Sequence, residues 1–190
     1  EYTQDANQRY VGAFSLRTGI EHNNQNEALF DLNTQYNGNR FLASLDHASF
    51  YEQLNASSAY HQSRVSFASS VAFAGDDWAI GKPIYDSFAL IKPHSSLKDK
   101  KITLGQYKDQ YRANNADFDT ILLHDISSYD NSAISVDVED LEPGYDIGAG
   151  LVVFFPSYRS GYSVMIGTAA NISVIGTLLD QQQQPLALQV

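Results

Sequence analysis

Five acidic side chains crowd one short stretch late in the sequence, and their types could support metal binding or hydrolysis. They are Asp137, Glu139, Asp140, Glu142 and Asp146. A Ca²⁺-binding EF-hand loop has a different ligand spacing, with glycine at its sixth position. A glycosidase needs two carboxyl groups about 5–10 Å apart in a cleft, which a sequence cannot place. We therefore interpret the cluster as the solvated end of a strand and expect no metal and no cofactor.

The remaining reactive residue types also lack the spacing that catalysis requires. The five histidines, at positions 22, 47, 61, 94 and 124, form neither H-x-H nor H-E-x-x-H. No G-x-S-x-G elbow is present, and "GYDIGAG" lacks both a following lysine and a strand–turn–helix context. The sequence therefore predicts that this chain is not an enzyme. His47 and His61 fall on predicted strands, and we expect them to face either the lumen of a β-barrel or an interface.

Two charged residues invite a structural interpretation. Asp86 interrupts the apolar run from Ile84 to Ile91, where its carboxylate could accept hydrogen bonds from nearby backbone. Arg159 follows Tyr158 and could pair with an acid between 137 and 146. For both residues we favour a role in structure over a role in binding a partner.

Composition limits the class of protein further. The 190 residues carry a formal net charge of −10, which argues against binding to nucleic acid. Tyr and Phe are abundant, at 12 and 10, which favours β structure. Cysteine is absent, so disulfides and thiolate metal sites are excluded. The chain begins Glu1-Tyr2-Thr3, without Met or a signal peptide, and we expect it to be a piece of a longer polypeptide.

The first half alternates apolar and polar residues over five predicted strands, linked by "HNNQN" and by the Asn-Gly hairpin signal of "YNGNR". The predicted apolar sets are Tyr10, Phe14, Leu16 and Ile20; Phe30, Leu32 and Tyr36; Phe41, Ala43, Leu45 and Tyr51; Leu54, Ala56 and Tyr60; and Val65, Phe67, Val71 and Phe73. Their strands are about ten residues long, as in membrane barrels, and Tyr10, Tyr36, Tyr51 and Tyr60 could form aromatic girdles. A soluble sandwich fits the alternation equally well. Five strands cannot close a membrane barrel, which needs about eight.

After "GKP" at 81–83 the regular alternation of apolar and polar residues ends. The predicted strands of the second half are "IYDSFALI", "KITLGQY", "FDTILLHDI", "SAISVDVEDL" and "GAGLVVFFP", several of them apolar on both faces. Strands of this length, separated by turns about every ten residues, predict a small β-sandwich.

Four segments of the second half resemble the fimbrial outer-membrane usher family, the assembly platforms of chaperone–usher pili. They are "WAIGKPIYDSFALI" at 78–91, "YDNSAISVDVEDLEPGYD" at 129–146, "FPSYRSG" at 155–161 and "VIGTLLDQQQQPL" at 174–186. The resemblance covers most of residues 60–190. It departs from the family pattern at Gln184, where glycine is usual, and at "NNADFDT", which lacks its glycine. The matching motif positions, expected to be structural, are Gly81, Pro83, Asp86, Ser87, Phe88, Pro156, Arg159, Gly161, Gly176 and Pro185.

The resemblance implies an all-β chain: the last antiparallel strands of a transmembrane barrel (1–75), a linker (76–82), a periplasmic β-sandwich (83–162) and the start of a second domain (163–190). It further implies a place in the outer membrane of a Gram-negative bacterium, with lipid and periplasmic chaperone–subunit complexes as partners. Such a platform promotes donor-strand exchange between subunits and secretes the growing pilus. The alternative function is a secreted or periplasmic all-β binding module, possibly for carbohydrate.

Overall fold

A computed structural model of the chain describes residues 2–4, 7, 9–25, 27–52, 59–141, 147–168 and 184. The described residues form an all-β structure, which confirms the predicted fold class. The strands are β1 Tyr2–Gln4, β2 Ala13–His22, β3 Ala28–Asn37, β4 Leu42–Tyr51, β5 Ala59–Ala68, β6 Ser70–Ala74, β7 Asp77–Gly81, β8 Ser87–Pro93, β9 Ile102–Leu104, β10 Ala113–Asn114, β11 Ile121–Ile126, β12 Ser132–Val138, β13 Leu151–Phe154 and β14 Gly161–Ile166. One 3₁₀ turn spans Ser95–Leu97. Among these residues no helix has the length and apolar character needed to cross a membrane.

Strands β1 to β5 form an open antiparallel sheet in sequence order. Their registers align Arg17, Asn33, Asp46 and Arg64 in one row across four strands. Because directly paired residues share a face, the same face also receives Glu21 and Asp31. Every Asp, Glu, Lys and Arg of β2 to β5 therefore lies on this surface, which we call the charged face.

The opposite surface of this sheet, the uncharged face, carries its large apolar side chains outward. One row across it consists of Phe14, Tyr36, Ala43 and Phe67. Val65 is 78% exposed, and Ile20 and Phe67 are similarly open. Both clusters of buried apolar residues in the described part of the chain draw their members from residue 72 onward. The sheet thus has an apolar surface without a core beneath it.

The first predicted strands match the structure better than the later ones. The segment "HNNQN" does connect β2 to β3, but "YNGNR" forms a four-residue loop, closed by a 2.9 Å bond from Gly38 N to Phe41 O, instead of a tight turn. The prediction of one strand over 65–73 is wrong, because β5 ends at Ala68 and the next strand, β6, belongs to a different sheet. Tyr60 was placed with the apolar set but lies on the charged face, paired with Phe50. Leu54 and Ala56 lie outside the described residues.

The hairpin of β6 and β7 covers one surface of the second half. Its inward residues are small: Ala72 and Ala79 are buried against Leu90 and Leu122. A Cβ on Gly81 would lie 2.6 Å from the Leu122 side chain, so glycine permits this close approach. The predicted linker, 76–82, therefore contains a strand that packs on the sandwich.

Two further sheets form the sandwich, one ordered β10-β9-β12-β13 and the other β11-β8-β14. Its core lies between them and includes Ile91, Leu104, Leu123, Ile134 and Phe154, all buried. Strand β14 runs parallel to β8, from Gly161 beside Phe88 to Ile166 beside Pro93. It thereby continues past the boundary predicted at residue 162, because Ile166 belongs to the same core. The hairpin packs on the outer surface of β8 and β11, so the second half has three layers.

Candidate functional site

Two motif segments that are about 70 residues apart in sequence meet where β8 and β14 begin. Phe88 N donates to Ser160 O at 3.0 Å, and Ser160 N donates to the buried Ser87 Oγ at 3.1 Å. Ser87 Oγ in turn donates to Ser157 O at 3.0 Å. A Cβ on Gly161 would lie 2.5 Å from the Phe88 ring, so glycine lets the two segments touch. The structure therefore brings six of the ten motif positions into one cluster, namely Asp86, Ser87, Phe88, Pro156, Arg159 and Gly161.

Asp86 closes the same cluster through Ser128. Its Oδ2 accepts a 2.8 Å bond from Ser128 N, and its Oδ1 accepts from Ser128 Oγ. These hydrogen bonds to the carboxylate hold the pKa of Asp86 below its ordinary value. The sequence predicts a bond to backbone, which is present, but the donor is 42 residues away instead of local.

Arg159 has a left-handed backbone, with φ of 50°, and its N–H donates to Ser128 Oγ at 3.3 Å. Its guanidinium lies 5.2 Å from the centre of the Tyr158 ring. Glu139, one of the acids offered as its partner, pairs instead with Lys101 at 2.8 Å. Of the acids between 137 and 146 that the structure describes, Asp137, Glu139 and Asp140, none forms an ion pair with Arg159, and the others lie outside the described residues.

Pro156, the sixth member of the cluster, is buried, and its carbonyl accepts a 2.7 Å bond from Tyr129 N. The other four motif positions lie apart from this cluster or outside the described residues. Gly81 ends β7 against Leu122, and Pro83 follows on a partly buried turn. Gly176 and Pro185, like Glu142 and Asp146 of the acidic cluster, lie outside the described residues. Within the described part of the chain, no three His, Cys, Asp or Glu side chains are placed to hold a metal ion.

A buried charged cluster, which the sequence analysis missed, lies under the turn between β7 and β8. Lys82 is only 1% exposed, and its Nζ donates to Arg112 O at 3.1 Å. Arg112 forms an ion pair with Asp125, and the largely buried His124 lies beside that pair. Burial lowers the pKa of Lys82 to about 8 and that of His124 to about 4. His124 is therefore neutral at pH 7, whereas Lys82 stays mostly charged.

The loop at 38–41 attaches the five-stranded sheet to the second half. Arg40 Nη1 donates to Ile80 O at 2.6 Å, and its Nη2 donates to Ala116 O at 2.8 Å. Asn39 Nδ2 donates to Asn114 Oδ1 at 2.6 Å, and Asn114 N donates back to Asn39 Oδ1 at 3.1 Å. The guanidinium also lies 4.8 Å from the centre of the Phe118 ring. One loop therefore joins the sheet both to the hairpin and to the sandwich.

The histidines expected on a lumen or an interface have a more specific setting. His47 and His61 lie on the uncharged face, because His47 pairs with Leu32 and His61 with Ser49. Ser49 Oγ bridges them, at 2.8 Å from His47 Nε2 and 2.8 Å from His61 Nδ1. Both histidines therefore lie on the face opposite the charged side chains, and their place at a lumen or an interface stays a prediction.

Two sets of contacts hold these parts of the chain together. Hydrogen bonds from the loop at 38–41 join the sheet to the hairpin and to the sandwich. The close approaches at Gly81 and Gly161 and the buried charged cluster act within the hairpin and the sandwich. The buried Ser87 Oγ is hydrogen-bonded to Ser157 O and Ser160 N and lies 2.9 Å from Ser128 Oγ, so its partners are backbone groups and a second serine hydroxyl.

Comparisons with known proteins find a similarity among solved structures, but none among family models or curated proteins. No protein-family model and no curated protein matches this sequence. Among solved structures, the chain is similar to one chain of the cryo-EM structure of the E. coli P pilus tip assembly intermediate PapC-PapD-PapK-PapG. The similarity covers 85% of this chain and 19% of that chain, with 19% identity and a TM-score of 0.48. This chain thus spans about a fifth of the length of the chain it is similar to.

Proposed function

We propose that this chain is the C-terminal portion of a fimbrial outer-membrane usher. In this proposal β2 to β5 are the last strands of the membrane barrel, and the sandwich lies in the periplasm. The observation that supports this proposal most strongly is the distribution of charge on the five-stranded sheet. All the Asp, Glu, Lys and Arg side chains of β2 to β5 lie on one face, and the other face exposes Val65, Phe67 and Ile20 with no core beneath them.

The dimensions of the strands support the same proposal. Strands β2, β3, β4 and β5 are each 10 residues long, the length with which a tilted strand spans a bilayer. An outward apolar band and a polar interior are what a membrane barrel requires of alternating residues. In water, the same uncharged face would be a large exposed apolar patch with a high tendency to aggregate.

The proposed role is the one that the sequence motifs imply: to receive periplasmic chaperone–subunit complexes, promote donor-strand exchange and pass the growing pilus outward. Donor-strand exchange replaces one bound β-strand by another, so it depends on how the partners are oriented and needs no nucleotide or metal. The attachment of the sandwich to the sheet through Arg40 and Asn39 supports such a role. Net charge of −10 is consistent with protein partners and not with nucleic acid.

A deletion in the parent polypeptide tests the proposal. Removing residues 83–190 should abolish surface fibres, counted by electron microscopy, while the truncated protein still enters the outer membrane. Membrane entry is the control, read as a change in gel mobility between heated and unheated samples. Normal fibre numbers with the truncated protein would overturn the proposed role.

The alternative, a soluble all-β binding module, places the same uncharged face in water. It would require a second element to cover Val65 and Phe67, and it predicts a protein that needs no detergent. Detergent-free solubility of the purified 190-residue chain as a monomer would favour this alternative.

A further inference from the structure

The β6–β7 hairpin has its small and large residues on the opposite sides from those expected of a soluble protein. A hairpin on a sandwich normally turns its large apolar residues inward, since burial of apolar surface stabilises the fold. Here the inward residues are Ala72, Ala79 and Gly81. The outward residues Val71, Phe73 and Trp78 are 55%, 70% and 50% exposed. We call these three residues, together with the neighbouring Phe118, the hairpin outer face.

The orientation of the hairpin is fixed at both ends and in the middle. At its turn, Asp77 accepts hydrogen bonds of 2.7 Å from Lys92 Nζ and 2.7 Å from Ser163 Oγ. At its open end, Lys82 Nζ donates to Arg112 O of the sandwich at 3.1 Å. In the middle, its alanines pack on Leu90 and Leu122. The outward aromatic residues cannot turn inward without breaking all three attachments.

The hairpin outer face adjoins the uncharged face of the sheet at Arg40. The Trp78 and Phe118 rings lie 6.3 Å apart, and Phe118 lies under the Arg40 guanidinium. Next to Arg40 in the chain, Phe41 stacks on Phe67 of the uncharged face at 5.1 Å. Arg40 therefore connects the aromatic residues of the hairpin outer face to those of the uncharged face.

We propose that the hairpin outer face lies in the lipid interface of the outer membrane and anchors the sandwich to it. This inference rests on the proposed function, because lipid would reach the hairpin where it adjoins the uncharged face. Trp and Tyr collect at membrane–water interfaces, where an amphipathic ring is accommodated best. Asp76 at the turn, and Asp117 and Asp119 beside Phe118, keep this surface in the headgroup region, since carboxylates are costly in hydrocarbon.

Three exposed valines make a matched set for testing this proposal. Val65 lies on the uncharged face, Val71 on the hairpin outer face and Val153 on the outermost sheet of the sandwich, where it is 63% exposed. Single-cysteine variants Val65→Cys, Val71→Cys and Val153→Cys of the whole parent polypeptide carry a nitroxide label in outer-membrane vesicles. The chain itself contributes no competing cysteine.

Collision rates of the nitroxide with O₂ and with a water-soluble nickel chelate separate the possible environments. Lipid admits O₂ and excludes nickel, water admits nickel, and contact with protein shields the label from both. We expect the ratio of O₂ to nickel collisions to be at least about threefold higher at 71 than at 153, because an interfacial residue is buried among headgroups and acyl chains. The ratio at 65 should be higher still.

Each outcome has one meaning. A ratio at 71 equal to that at 153, or shielding at 71 from both reagents, overturns the anchor and places the hairpin in water or against protein. If 65 alone favours O₂, the proposed barrel stands and the anchor falls. If 65 also resembles 153, the lipid-facing sheet and the proposed function fall together.

Discussion

The five-stranded sheet and the sandwich use the same residue types in opposite ways. In the sandwich, Leu123 and Ile91 are buried between two sheets, and charged groups such as Lys101 and Glu139 pair at the surface. In the sheet, Leu45 and Val65 point outward from a layer that has nothing beneath it. Hydrophobicity alone therefore does not tell which side of a strand is covered. The exposure of the apolar side chains does, because it is nearly zero for Leu123 and Ile91 and high for Val65.

The hairpin between the two regions shares features of both. It packs its alanines on the sandwich, as a soluble layer would, and it exposes its aromatic residues, as the sheet does. The hairpin lies next to the loop at 38–41, where the sheet meets the sandwich. The molecule therefore has three surfaces that differ in what covers them: the uncharged face, the hairpin outer face and the surface of the sandwich.

The largest expected difference is between two leucines. Leu123→Ala should lower the free energy of unfolding of the chain in detergent by about 2–5 kcal/mol, because it leaves a cavity in the sandwich core. Leu45→Ala removes a side chain that is already exposed and should cost less than about 1 kcal/mol. Urea unfolding followed by circular dichroism measures both. Equal losses would mean that the sheet has a core of its own.

In lipid, by contrast, a charge placed on an exposed valine should destabilise the sheet more than the sandwich. Val65→Lys should destabilise the protein in bilayers by about 2–4 kcal/mol, the cost of lysine facing the membrane midplane. Val153→Lys, on the water-exposed sandwich, should change it by less than about 0.5 kcal/mol. The measurement is denaturant titration of the parent polypeptide in lipid vesicles. Tolerance of lysine at 65 would contradict a lipid-facing sheet.

The buried charged cluster should make the sandwich sensitive to acid. The pKa of His124 is about 4 in the folded chain, against an ordinary value of 6.5, so the unfolded chain binds more protons between these pH values. Stability should therefore fall as pH decreases from 6.5 to 4, by about 2–3 kcal/mol for this group.

The change His124→Gln isolates that contribution, because glutamine does not titrate. The difference in unfolding free energy between the native chain and His124→Gln, followed by the fluorescence of the single tryptophan Trp78, should change with pH only in this window. A pH-independent difference would mean that His124 remains accessible to protons in the folded chain.

The smallest expected effect concerns two serines. Ser87→Ala removes the acceptor for Ser160 N in a buried setting and should cost about 1–2 kcal/mol. Ser66→Ala, on the exposed charged face, should cost less than about 0.5 kcal/mol. Thermal unfolding of the two variants compares them directly. If Ser87→Ala unfolds with the native midpoint, the meeting of the two motif segments does not stabilise the sandwich.

Local pattern was enough to predict β2, β3 and β4, because their alternation is regular and "HNNQN" separates the first two. It also placed the change of architecture near Gly81, where the chain turns from the hairpin into the core strand β8. The hairpin itself was missed, although "AGDDW" offers a Gly-Asp turn between Val71-x-Phe73 and Trp78-x-Ile80. The apolar period of β5 continues through Ser69 into β6, which made two strands look like one.

The junction could not be predicted from local pattern. Asn39 and Asn114 are 75 residues apart, and Lys82 and Arg112 are 30 apart, so only the tertiary fold brings them together. Lys82, Arg112 and Asp125 look like surface charges in the sequence, since their burial depends on mutual pairing. The motif positions from Asp86 to Phe88 and from Pro156 to Gly161 were identified by resemblance, and their contact emerged from the fold alone.

We propose that these residues belong to a much longer protein of the outer membrane, with its uncharged face in lipid. An antibody raised against residues 83–190, used on fractionated source cells, tests this proposal. We expect a band several times longer than 190 residues, confined to the outer membrane and shifted in mobility when the sample is not heated. A soluble band of about the length of this chain would contradict it and favour an independent β-sandwich binding module.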